Sequence, residues 1–340
     1  MSRPVSRKPE GAPRTRGAVK PLPDGPFPVP LSTIDWLVSR ESPAARFVAL
    51  RDLLGRPPKD PELRKAKQGF SRDPFVRDIL GHLRARLAPG EGAGAAGLER
   101  RYDGGVWLAL FLTEIGADGA LPVLHHAGDV LLARWEKVLV GIDRREHEET
   151  NLDAPLFRAA LRVFARVGWE RDTRVLQGAD VLAARALAGR GRTEKDLLFF
   201  ASLPRDARSQ RVTQAISFLG ARLLEVELPA ALAAGAPEGL VMPGFPCGDE
   251  TDLVEMLLAL ACVLPPESRS EPVLARSLAH LAARADHRAR WKLERPPPAR
   301  LPVVLERTGE LSRWVTLRAL SVFQHFLGLE VPVAPPRRRT

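Results

Sequence analysis

Cysteine is scarce in this chain. Cys247 and Cys262 are the only two in 340 residues, too few for the disulfide framework of a small secreted domain and without a metal-type spacing. A reducing cytoplasm is therefore the expected setting. Long apolar runs are also missing. The longest, Leu253 to Leu264, is about half of a membrane span and carries Glu255 inside it, so it reads as a buried helix and no transmembrane segment is expected. The basic, proline-rich N-terminus has no apolar stretch after it, and a secretory leader is not expected. Strand-type alternation is nearly absent, and so is enrichment in Val, Ile and Tyr; Tyr102 is the single tyrosine. These absences exclude a β architecture and predict an all-α chain.

The net charge of +10 is not a property of the body. Residues 1–28 carry six Lys/Arg against Glu10 and Asp24, and Arg337, Arg338 and Arg339 add three more charges at the other end. About +3 remains for the rest, ordinary for its size. Aromatic residues that would stack bases are lacking near either basic end, so no specific nucleic-acid partner is expected. Residues 1–28 and 331–340 read as solvated, disordered tails, and deletion of 1–28 is expected to leave melting unchanged.

The body has helical periodicity throughout. Phe47, Leu50 and Leu54 follow the three-and-four spacing of an amphipathic helix that starts at Ser42-Pro43 and stops at Gly55. Asp60-Pro61 and Asp73-Pro74 open the next two helices, because Asp caps exposed N–H groups and Pro fits the first turn. Further helices are expected near 104–116, 120–139, 154–167, 172–188, 193–201, 206–225, 249–264, 271–285 and 312–327. Segments 88–97, 229–246 and 296–302 read as irregular crossings. None is long or polar enough for an interdomain linker, so residues 29–330 are expected to form one domain.

A weak internal repeat runs through these helices. Leu50-Arg51, Leu161-Arg162 and Leu317-Arg318 are equivalent Leu-Arg steps on helices whose other positions are apolar. Helical hairpins of this kind bury their apolar faces only by stacking on neighbours, giving either an open solenoid or a closed ring.

The order of motifs carries a resemblance. Trp36-Leu37, Ala49 to Gly55, the Asp60-Pro61 and Asp73-Pro74 openings, Tyr102 to Leu112, Arg290-Trp291 and Ser312 to Leu320 together resemble bacterial proteins of the squalene cyclase and protein prenyltransferase-like group, over residues 31–327. The resemblance implies an α/α toroid, a ring of inner and outer helices around a cavity. The chain departs from the catalytic members of that group. It lacks their Asp-x-Asp-Asp acid, the nearest carboxylate cluster being Asp249-Glu250-Thr251-Asp252, and it lacks their aspartate-rich magnesium motifs. For a zinc site the resemblance offers only Cys247 or Cys262, Asp249 or Asp252, and His280, His287 or His325. No spacing makes three of these converge, so neither metal nor cofactor is expected.

In such a ring the first turns of inner helices face the cavity mouth. That implies Tyr102, Trp107, Asp153, Arg313 and Trp314 as ligand-binding candidates, with Asp252 and then Asp249 as candidate acids; Asp103, Asn151, Glu250 and Thr316 occupy similar positions. Asn151, Asp153 and Asp249 are equally good helix caps. Trp291 reads as a structural staple on the preceding helix. Two functions are open at this point. One is a protein that binds, and transforms, an apolar or isoprenoid-like ligand in a central cavity, and the other is a non-enzymatic helical scaffold for a partner protein.

Overall fold

The computed structural model describes residues 22–88, 95–143 and 154–331. Asn151, Asp153 and the two chain ends lie outside the described residues. The fold is all-α, as the periodicity predicts. Its helices are α1 (Leu31–Leu37), α2 (Pro43–Val48), α3 (Pro61–Phe70), α4 (Pro74–Leu87), α5 (Ala95–Glu99), α6 (Gly105–Glu114), α7 (Pro122–Asp143) and α8 (Ala154–Arg166). Then follow α9 (Thr173–Leu187), α10 (Thr193–Ser202), α11 (Gln210–Arg222), α12 (Leu228–Leu232), α13 (Leu253–Ala261), α14 (Pro272–Ala283) and α15 (Arg313–Phe326). Two π-helical turns, Ala49–Leu53 and Leu223–Glu227, extend α2 and join α11 to α12.

Local chemistry fixes many of the starts. Asp60, Asp73, Asp172, Ser209, Asp252 and Ser312 each accept a backbone N–H from the first turn of α3, α4, α9, α11, α13 and α15, satisfying donors that the helix leaves open. Asp73 also accepts from Ala44 N at 3.1 Å, so one buried carboxylate serves α2 and α4 together. Ser42, expected to start α2, makes no side-chain cap. Gly55 ends the π turn at φ 58°, where an L side chain would be strained.

The packing runs from helix to helix. α6 packs on α8, α8 on α10, α10 on α13 and α13 on α15, and α15 returns to α2 and its π turn. A second set lies against these: α3 on α2, α4 and α7 on α6, α9 on α8, α11 on α10 and α14 on α13. The buried apolar side chains form one contiguous cluster from Phe27 to Leu327.

The beginning and end of the described chain are tied together. Arg290 and Arg313 hold their guanidinium groups 4.7 Å and 4.9 Å from the centre of the Trp36 ring, a cation–π geometry. Arg290 also donates to Ser32 O at 2.7 Å, and Arg313 pairs with Glu41 at 2.6 Å. Gln324 of α15 donates to Leu53 O at 3.1 Å. Trp291, fully buried, donates its indole N–H to Leu281 O of α14 at 2.8 Å. This is the staple expected of it, and its backbone N–H goes to Thr316 Oγ1 at 3.0 Å.

One boundary is corrected. Phe27–Pro28 (β1) pairs in parallel with Leu329–Glu330 (β2), and Phe27 is buried. Its ring stacks on Phe323 with centroids 4.0 Å apart and lies 6.1 Å from Trp291. The segment just before residue 29 is therefore core, because Phe27 gains more by burial than the short pairing costs in chain entropy. Phe27→Ala is expected to cost about 3 kcal/mol in urea denaturation, and deletion of residues 1–28 at least as much, rather than leaving melting unchanged. A second correction concerns the crossing expected at 229–246: α12 continues helically to Leu232 before the chain becomes irregular.

Among the described residues, no helix is long and apolar enough to cross a membrane.

Candidate functional site

These helices border a partly open cavity of about 200 Å³. Its walls come from the π turn after α2 (Arg51, Asp52), the end of α6 (Thr113, Glu114), α8 (Arg162, Arg166), α10 (Leu198), α13 (Glu255, Leu258) and α15 (Arg318). The loop before α13 adds Phe245 and Cys247. Half of the lining residues carry a charge. An apolar ligand calls for apolar and aromatic walls, and these walls are charged.

The π turn matters here because it inserts an extra residue into the helical winding at Arg51 and Asp52, re-aiming both. Arg51 lies fork-to-fork with Asp52, at 2.6 Å and 2.8 Å, and donates to Gly116 O of the α6 end at 3.0 Å. Opposite, Arg162 and Arg166 sit one turn apart on one face of α8. Arg162 meets Glu114 at 3.3 Å. Arg166 is exposed and has no hydrogen bond or ion pair among the described residues. Burial lifts the Glu114 carboxyl above its ordinary value, with Arg162 pulling the other way.

Below lies a buried ionic floor. Lys195 of α10, 1 % exposed, pairs with Glu255 at 2.6 Å and donates to Glu250 O at 2.6 Å. Burial would raise the Glu255 carboxyl, but Lys195, Arg318 and Arg162 outweigh it and hold the group at about 2. Arg318 donates to Gly244 O at 2.7 Å and stands 3.5 Å from Asp252 and 3.9 Å from Glu255.

No model of a known family, no curated protein and no solved structure matches this chain. The site must be read from its own geometry.

Asp252, the first candidate acid, is fully buried but not a free acid. It caps α13 by accepting Glu255 N at 2.8 Å, and its second oxygen accepts Gly244 N at 2.8 Å beside Arg318 and Arg295. All of its acceptor capacity is spent on structure. Asp249 is not a cap, because α13 begins four residues later; it pairs with Arg101 at 3.1 Å and Arg158 at 3.6 Å. Arg313 and Trp314 do not line the cavity: Arg313 clasps α1, and Trp314 stacks on Phe245 with centroids 5.3 Å apart. Tyr102 and Trp107 lie with ring centroids 5.1 Å apart in a small neighbouring pocket with Pro246 and Gly248, which shares Glu114 with the cavity. Their Oη and Nε1 atoms are buried without hydrogen-bond partners. Gly248 is required there, since a Cβ would meet Tyr102 Cε1 at 2.6 Å.

Cys247 Sγ and carboxylate oxygens of Asp252 and Glu255 lie within 4.8 Å of one another. These are metal-type donors, but the protein's own cations fill the position. Arg318 reaches Cys247 Sγ at 3.2 Å, and Lys195 holds Glu255. Burial raises the Cys247 thiol well above its ordinary value, partly countered by Arg318 and reinforced by Asp252 and Glu255. A protonated thiol is a poor metal ligand.

The residues that form the site were passed over as candidates in the sequence, yet a signal for three of them existed. The Leu-Arg steps place Leu50, Leu161 and Leu317 in the core, and Arg51, Arg162 and Arg318 on the cavity.

Proposed function

We propose that this chain is an α/α ring whose central cavity binds a small anion through the arginines of α8. The observation that carries the reading is Arg166: an exposed, unpaired guanidinium on the cavity wall, one turn from Arg162 and across from Arg51. An arginine in such a place has no structural partner to account for it, and its planar fork suits carboxylate or phosphate oxygens. The ring reading draws on the helix-to-helix packing and on the clasp of Arg290 and Arg313 around Trp36. That clasp also weakens the scaffold alternative, which needs an open concave face. The charged lining argues against an isoprenoid-like ligand. A volume of about 200 Å³ suits a compact solute.

Thermal melting at constant ionic strength tests this. Phosphate, sulfate and malonate are each expected to raise the melting temperature over chloride, and Arg166→Ala to abolish the rise without changing the melting point in chloride. Equal shifts in wild type and Arg166→Ala, or none in either, would sink the proposal.

A further inference from the structure

The cavity holds its own competitor for the anion. Glu114 closes the α6 end at the cavity wall, its side chain 12 % exposed, and its one ionic contact is the 3.3 Å approach to Arg162. That contact is long for a charge-assisted bond and engages a single guanidinium nitrogen. Resting on the anion-binding reading above, we infer that Glu114 is a displaceable internal counter-ion, and that the ligand is a dianionic oxyanion that takes its place on Arg162, spans to Arg166, and leaves Glu114 to take up a proton.

The geometry requires two charges on the ligand. Arg51 is neutralised by its fork-to-fork contact with Asp52. On the floor, Lys195 and Arg318 are balanced by Glu255 and Asp252. What remains is Arg162, paired with Glu114, and Arg166, which makes no ion pair among the described residues. With Glu114 ionised the wall has room for one negative charge, and with Glu114 protonated it has room for two. Residues four apart on a helix are separated by about 6 Å along the axis, so one tetrahedral oxyanion can bridge both heads, each guanidinium presenting two parallel N–H groups.

Displacement leaves Glu114 in surroundings that favour the neutral acid. The charges facing it are Arg162 from α8, Lys195 from α10, Glu255 from α13 and Arg318 from α15. Lys195 and Arg318 are already committed to Glu255, and a dianion on Arg162 cancels the remaining cation. Burial is the largest influence on the group and already raises it; a bound dianion raises it further. Proton uptake and anion binding are then linked. The sign follows: below the free-state value Glu114 is protonated already and affinity is at its plateau, and above it affinity falls about tenfold per pH unit until the bound-state value is passed.

Sulfate is the probe, since it stays dianionic from pH 5.5 to pH 8 and any pH dependence belongs to the protein. Isothermal titration in two buffers of different ionisation enthalpy is expected to show proton uptake approaching one per sulfate between the free-state and bound-state values of Glu114, falling away on either side. At pH values where wild-type affinity has fallen tenfold or more from its acidic plateau, Glu114→Gln is expected to bind sulfate at least tenfold more tightly than wild type, with no proton uptake. Nitrate, a monoanion, is expected to bind more weakly and to show less coupling. Sulfate binding to wild type with no proton uptake, and equal affinity in Glu114→Gln, would overturn the inference while leaving anion binding intact. Absence of saturable sulfate binding to either folded protein would overturn both. The wild-type proton count stands even if Glu114→Gln fails to fold.

Discussion

Lys195→Met is expected to destabilise the protein by about 3–5 kcal/mol at pH 7, the cost of leaving one member of a buried ion pair without its partner. Lys195 lies on α10 and Glu255 on α13, with side chains 1 % and 4 % exposed. Water cannot reach Glu255 to replace the lost cation, and Arg318 is shared with Asp252, Cys247 and Gly244 O. Adding Glu255→Gln should recover much of the loss, because the stranded charge is then gone.

The cost must also depend on pH in a stated direction. Glu255 is held at about 2 in the folded chain against 4.5 for the free side chain. A depressed carboxylate contributes stability that is fully present above its unfolded value and is lost as pH falls from about 4.5 toward 2. That contribution is on the order of 3 kcal/mol. The wild type loses it on acidification and Lys195→Met has little of it to lose, so the gap between them should narrow between pH 5 and pH 3. Urea denaturation at several pH values measures this, and a gap that stays constant would show that Lys195 acts through packing alone. Glu114, Glu194 and Asp196 act in the opposite sense, since burial raises all three. Acid relieves them, which is why the comparison between variants is more informative than the wild-type curve.

Asp252→Ala is the second large effect, expected at about 3–4 kcal/mol. Losing the α13 cap costs about 1 kcal/mol. Leaving the buried Gly244 N–H without an acceptor adds roughly 1–3 kcal/mol, and Arg318 and Arg295 lose a shared counter-charge. Asp252→Asn separates the two views of this residue. A free cavity acid would tolerate the amide with no change in stability. A carboxylate that accepts from two backbone N–H groups and faces two guanidinium groups would not, because the amide turns one accepting oxygen into a donor. Most of the alanine loss should therefore appear in Asp252→Asn.

These residues also mark where reading the sequence succeeded and where it stopped. Helix identity was legible because it is local: Asp60-Pro61, Asp73-Pro74 and Ser312 cap the helices they precede, and three-and-four spacing marks each buried face. Trp291 was legible as a staple because it follows the helix it pins. The resemblance to cyclase-like rings directed attention to first-turn residues, and there it misled. Asp252 is consumed as a cap, Arg313 as a clasp, and Trp314 as a stacking partner of Phe245.

The sequence alone determined an all-α chain, most of its helix boundaries, and a Leu-Arg step repeated on three helices. Those properties arise from hydrogen bonds and side-chain periodicity within a few turns of chain. Only the tertiary structure decided that the three arginines converge on one cavity, that Lys195 lies against Glu255 sixty residues away, and that among the described residues Arg166 makes no ion pair while Arg162 makes one. Convergence and pairing are relations between separate helices, set by which faces pack together, and a Leu-Arg step reads the same whether its arginine ends in solvent or on the wall of a cavity.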